Sequence, residues 1–136
     1  MKIKLISSLL LRIAAAVILF QTLYFKFTAQ PESVELFTEL GVEPWGRIGT
    51  GVIELVASIL LLIPTTIFIG ALLGVALMGG AILSHLTVIG IQSQGDGGQL
   101  FMLAIMVLVC CSIILLLHKQ QGVLLFNKVF KKSIAI

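Results

Sequence analysis

Along this chain, apolar runs of membrane-crossing length alternate with short polar breaks. A spanning helix needs about 20 mostly apolar residues. Four stretches meet that need: about Leu5 to Phe27, Ile48 to Ile63, Ile67 to Ile91 and Leu100 to Leu117. The second is the shortest, and Pro44, Trp45 and Gly46 extend it at the interface. The basic start followed by an apolar run has the look of a cleaved signal, but the run continues through Phe27 and Arg12 interrupts it. It reads as a retained first helix. The pattern predicts an all-α membrane protein, a single domain built as a four-transmembrane-helix bundle.

Between the first two spans the period changes. Val34, Phe37 and Leu40 recur at helical spacing, while Glu32, Glu35 and Glu39 recur on another face. Pro31 suits a first helical turn and Gly41 a C-terminal stop. This predicts a short amphipathic helix lying on the outer surface or tucked over the bundle.

Composition removes the soluble alternatives. Of the 136 residues, 59% are hydrophobic and 11% charged, and the mean hydropathy is +1.18. Soluble domains carry about 25% charged residues, and a globule this small has too much surface to hide such an apolar excess. The charges are also segregated. Lys2, Lys4, Lys119, Lys128, Lys131 and Lys132 lie at the two chain ends, whereas Glu32, Glu35, Glu39 and Glu43 crowd the first loop. Positive residues favour the cytoplasmic side, so both termini are expected there. The basic ends read as membrane-surface anchors and not as a nucleic-acid patch.

Against this background the polar residues inside the spans are conspicuous. Glu54 falls near the middle of the second span, and His85 lies in the outer half of the third. Gln21, Tyr24 and Lys26 occupy the outer half of the first, and Arg12 its inner half. Gly51, Glu54 and Ser58 form one stripe; Gly70, Gly74, Met78, Ala81 and His85 form another. Small residues let membrane helices approach closely, so both stripes are expected to face the bundle interior. A charge at depth costs at least about 2.5 kcal/mol unpaired. The expected arrangement sets Glu54 between Arg12 and His85, with Gln21 and Tyr24 completing a polar pocket and Lys26 at its mouth. The same residues also fit a purely structural role, an ion pair that fixes helix register.

Other chemistry is not indicated. Cys110 and Cys111 are adjacent and point about 100° apart on a helix, as packing or lipid-facing thiols. His85 and His118 lie at different depths, so they do not pair as axial haem ligands, and no metal-ligating set emerges. The glycines of "IGTG" and "GDGG" mark a helix start and a turn.

The residues that stand out resemble those of the DoxX and DoxX-like family of small four-helix bacterial membrane proteins. The likeness rests on Arg12 early in the first helix, Lys26 in "YFKF", the segment "GTGVIELVASILLLIP" and the segment "GALLGVALMGGAILSHLTVIG". Together these cover most of residues 10 to 117. The resemblance implies a bacterial inner-membrane location and redox or quinone-linked membrane metabolism, since family names point to a thiosulfate:quinone oxidoreductase subunit and to oxidoreductase complexes. On that basis a quinone is the candidate cofactor, with Glu54 and His85 binding its head group. A redox protein or a second copy of the chain would be the partner. A carrier for a small amphipathic or lipid-like molecule, or a structural or assembly protein, are the other expectations.

Overall fold

The computed structural model describes residues 1–134. Its elements are α1 (Lys2–Phe27), α2 (Pro31–Glu39), α3 (Trp45–Leu62), α4 (Ile67–Ser84) running into a π-helical turn (His85–Ile89), α5 (Gln99–Leu117) and α6 (Lys119–Ile134). Four of these segments are long and apolar enough to cross a membrane: α1, α3, α4 with its π turn, and α5. The four-span expectation holds, with boundaries shifted by a few residues. The largest shifts are at the starts of α1, at Lys2 rather than Leu5, and of α3, at Trp45 rather than Ile48.

The spanning helices form a closed ring in which α1 packs on α3, α3 on α4, α4 on α5 and α5 on α1. Sequential elements joined by short connections become antiparallel neighbours. The central core uses Ala15, Leu19, Ala57, Leu61, Ala71, Val107, Cys111 and Ile114. Small side chains recur because helices in lipid gain little from apolar burial and associate through close packing. Gly70 lies against the backbone at Leu60 and Leu61, and Gly74 lies against the Cys111 sulfur. Both cysteines are free, with Cys111 buried and Cys110 half-buried. The two stripes read from the sequence do face inward: Gly51, Glu54, Ser58, Gly70, Gly74, Met78 and His85 are all buried, and Ala81 is half-buried.

The two ends of the ring differ. One end carries Lys2 and Lys4 and continues into α6; we call it the basic end. The other, the acidic end, carries the α1–α3 connection with Glu32, Glu35, Glu39 and Glu43, and the loop holding Asp96. The predicted amphipathic helix is α2. Pro31 opens it, and Gly41 follows it at φ +73°, a conformation that glycine reaches without a Cβ clash. Its buried residues are Ser33 and Phe37, with Val34, Leu36 and Leu40 half-buried, so the packing face is rotated slightly from the expected Val34–Phe37–Leu40 line. The C-terminal segment, expected as a basic anchor, is an ordered helix as far as Ile134.

Candidate functional site

The interior polar residues are sorted by the direction in which helical side chains lean. Every Cα–Cβ bond tilts toward its helix's N-terminus. On α1, which runs from the basic to the acidic end, side chains lean back toward the basic end. On antiparallel α3 they lean toward the acidic end. Lys26, near the acidic end of α1, therefore points down into the bundle, and Glu54 points up to meet it. Lys26 Nζ lies 3.0 Å from Glu54 Oε2. Thr22, one turn before Lys26 on the same face, donates its hydroxyl to that oxygen at 3.0 Å. Ser58 turns back on its own helix and donates to the Glu54 carbonyl at 2.7 Å.

The same rule separates Arg12 from Glu54. The expected pair does not form: Arg12 leans toward the basic end, where Nε donates to the Leu61 carbonyl at 2.5 Å and a terminal nitrogen to the Leu62 carbonyl at 2.8 Å. These carbonyls belong to the last turn of α3, which lacks intrahelical partners and carries the negative end of the helix dipole. Arg12 is thus a helix cap, and Lys26, expected at a pocket mouth, is the counter-ion of Glu54. At the opposite end Arg47 does the reciprocal job. It is 7% exposed, pairs with Glu43 at 2.8 Å and donates to the Lys26 carbonyl in the last turn of α1.

His85 is 3% exposed and shares an edge-on contact with Phe101. The π turn beginning at His85 ends at Gly90, whose carbonyl lies 2.8 Å from His85 Nδ1. A carbonyl only accepts, so Nδ1 carries the hydrogen; in the singly protonated tautomer that this contact selects, Nε2 is an acceptor. Among the described residues Nε2 has no hydrogen-bond partner, and no fully enclosed side-chain nitrogen or oxygen is left unpaired. Nε2 therefore retains accessible surface within the bundle. His85 does not touch Glu54; the two groups face a common space.

That space is a cavity of about 650 Å³ on the acidic side of the ring, under α2. Its wall includes Thr22, Lys26, Glu54 and His85, apolar groups such as Ile18, Phe37, Met78 and Leu103, and the polar Ser84 and Gln99. Gln21 also lines it. Tyr24 does not: it is 61% exposed and stacks edge-on against Phe25 on the outer face of α1. The expected Gln21–Tyr24 pair is split because Tyr24, three positions on, is turned away from the seam with α3. Sequence reading missed Thr22, whose spacing of four from Lys26 was the available signal, and Gln99 and Asp96.

Asp96 organises the loop that closes this end. Its carboxylate accepts the N–H groups of Ser93 (3.0 Å), Gly98 (2.8 Å) and Leu100 (3.0 Å). Burial alone pushes this carboxyl up. The Leu100, Gly98 and Ser93 amides, with a smaller pull from His85, outweigh it and hold the carboxyl below its ordinary value. A depressed folded-state value means the stabilisation is present above about pH 4, the ordinary carboxylate range, and is lost as pH falls through the lower folded value. Asp96→Asn has a single acceptor oxygen and is expected to destabilise the protein by about 1 kcal/mol at pH 7. Unfolding measured at pH 7 and again at about pH 3 should show the gap between wild type and variant closing only below about pH 4; a gap constant with pH would contradict this role for Asp96.

These features define a class: a four-span membrane protein with an internal, mostly apolar cavity, one ion pair and one free imidazole nitrogen in its wall. The family model described as the DoxX-like family matches residues 10–114, and the chain belongs to that family. Neither the curated proteins nor the solved structures gave a match.

Proposed function

We propose that this DoxX-like protein binds a quinone-class molecule within the bacterial inner membrane, as an accessory subunit beside a redox partner, with both termini cytoplasmic. The observation that supports this most is the pairing of a cavity of about 650 Å³ with two separated polar contacts, the Lys26–Glu54–Thr22 cluster and His85 Nε2. Small-molecule sites usually occupy about 300–1,000 Å³, with apolar walls and a few placed polar groups. A quinone ring carries oxygens on opposite sides. Lys26 has donors beyond the one facing Glu54 and suits a carbonyl oxygen. In the Nδ1–H tautomer, His85 Nε2 accepts the hydroxyl of the reduced form. The apolar wall accommodates the ring and its isoprenoid chain. The residues here hold and orient the ring; electrons come from, or go to, the partner.

The test is titration of the detergent-purified protein with a short-chain ubiquinone and, separately, with its reduced quinol, read by calorimetry, with native mass spectrometry reporting any molecule retained through purification. Saturable binding is expected. A hydrogen bond to a charged group is worth about 1.5–3 kcal/mol, so Lys26→Met should weaken quinone binding by about tenfold or more; the His85 bond joins uncharged groups and is worth about 1 kcal/mol, so His85→Ala should weaken quinol binding by about fivefold. Binding unaltered in both variants would remove this site. Retention of an amphipathic molecule that is not a quinone would favour the carrier reading.

A further inference from the structure

A second apolar recess lies at the basic end, away from the cavity. α6 follows α5 after the break at His118 and packs against the start of α4. Two contacts hold it there. The Gln121 side-chain oxygen accepts the Phe68 N–H at 2.8 Å, while its nitrogen donates to the Pro64 carbonyl at 2.9 Å. Gly122 sits so close to Phe68 that a Cβ would lie 2.5 Å from the ring. Between the helices runs a groove of about 320 Å³ walled by Phe68, Ile69 and Leu72 of α4 and by Phe126, Val129 and Phe130 of α6.

α6 is two-faced. At 100° per residue, Gly122, Phe126, Val129 and Phe130 fall on one half of the helix. Lys128, Lys131 and Lys132 fall on the other, beside Gln120 and Asn127. None of its residues is buried, so the apolar half is uncovered. The charge around it has one sign. Six lysines (Lys2, Lys4, Lys119, Lys128, Lys131 and Lys132) lie at this end, and among the described residues no side-chain carboxylate does. Glu32, Glu35, Glu39, Glu43 and Asp96 are at the other end, and Glu54 is paired with Lys26.

We infer that the α4–α6 groove and the lysine face of α6 form a binding site for an anionic phospholipid. One acyl chain lies in the groove against Phe68 and Phe126, and the headgroup phosphate meets Lys128, Lys131 and Lys132. The groove is apolar throughout and lies at the basic end, where α6 meets the start of the α4 span, which suits a hydrocarbon chain. The rim offers ammonium groups with no competing side-chain carboxylate among the described residues, which selects a net negative headgroup over a zwitterionic one. A second copy seated on the same face would set lysines against lysines.

The experiment is native mass spectrometry of the full chain in mild detergent, with phosphatidylglycerol or phosphatidylcholine added at equal concentration. Each lysine near an anionic surface contributes about fivefold, so wild type should prefer phosphatidylglycerol by about tenfold or more. K128Q/K131Q/K132Q keeps good helix formers at exposed positions and should lose the preference; added salt should act likewise. F126A/F130A should weaken retention of both lipids and leave the preference intact, which separates groove from rim. Circular dichroism confirms that each variant keeps its helices. Equal retention of the two lipids by wild type, or a preference that survives the triple variant, overturns the proposal. So does retention unaffected by F126A/F130A, and so does a lipid-free dimer.

Discussion

Lys26→Met is expected to destabilise the bundle by about 3 kcal/mol or more. Breaking a buried ion pair by removing one partner is far more harmful than replacing both, because it leaves the other charge without compensation. In the variant the Glu54 carboxylate keeps only Thr22. The double variant Lys26→Met/Glu54→Met replaces the pair with apolar groups of similar length and should return to within about 1 kcal/mol of wild type. The measurement is unfolding by a denaturing detergent titrated into mild micelles, followed by circular dichroism. Single and double variants that are equally unstable would mean that the pair is not the source of the effect. The double variant also divides the two roles open for this pair: stability should return, but quinone binding should not. A double variant that binds as wild type does would leave the pair with a packing role alone.

Gly70→Ala should be nearly as severe, at about 2–3 kcal/mol. An added Cβ would stand 2.6 Å from the Leu61 backbone nitrogen and 2.9 Å from the Leu60 carbonyl carbon. Both are backbone atoms and cannot rotate away, so α3 and α4 must separate. That separation also pulls on the Leu61 and Leu62 carbonyls held by Arg12. The internal control is close by. Gly79 and Gly80 lie on the same helix with nothing within 4 Å of a built Cβ. Alanine there should be neutral or stabilising by up to about 1 kcal/mol, from helix propensity. If alanine at Gly70 behaves like alanine at Gly79, the close approach of α3 and α4 is not what the glycine serves.

The fold was legible because the bilayer imposes length and apolarity on each span, and four runs met both conditions. The inward faces were legible as well, since Gly51, Glu54 and Ser58 share a stripe and so do Gly70, Gly74 and His85. What a stripe does not carry is axial direction. Arg12, Lys26 and Glu54 all point inward, yet pairing depends on which way each leans along its helix, and that depends on antiparallel neighbours. With the lean taken into account, Lys26 and not Arg12 is the partner of Glu54. Tyr24 does not line the cavity, because α1 presents only a narrow seam to the ring and three positions from Gln21 is enough to leave it. Asp96 was hidden for another reason: "GDGG" reads as a turn whether or not its carboxylate gathers three amides.

Arg12 and Arg47 bolt the same two helices together at opposite ends. Each reaches from one helix to the carbonyls that finish the other: Arg12 from α1 to Leu61 and Leu62, and Arg47 from α3 to Lys26. A slide of α1 along α3 in either direction strains both bolts at once, and a one-turn slip, about 5.4 Å, breaks them. The α1–α3 wall of the cavity is therefore the stator of this bundle. Any widening that admits a bulky molecule falls to the facing wall, where His85 sits on a π-helical turn and the loop beyond it is pinned by the single carboxylate of Asp96.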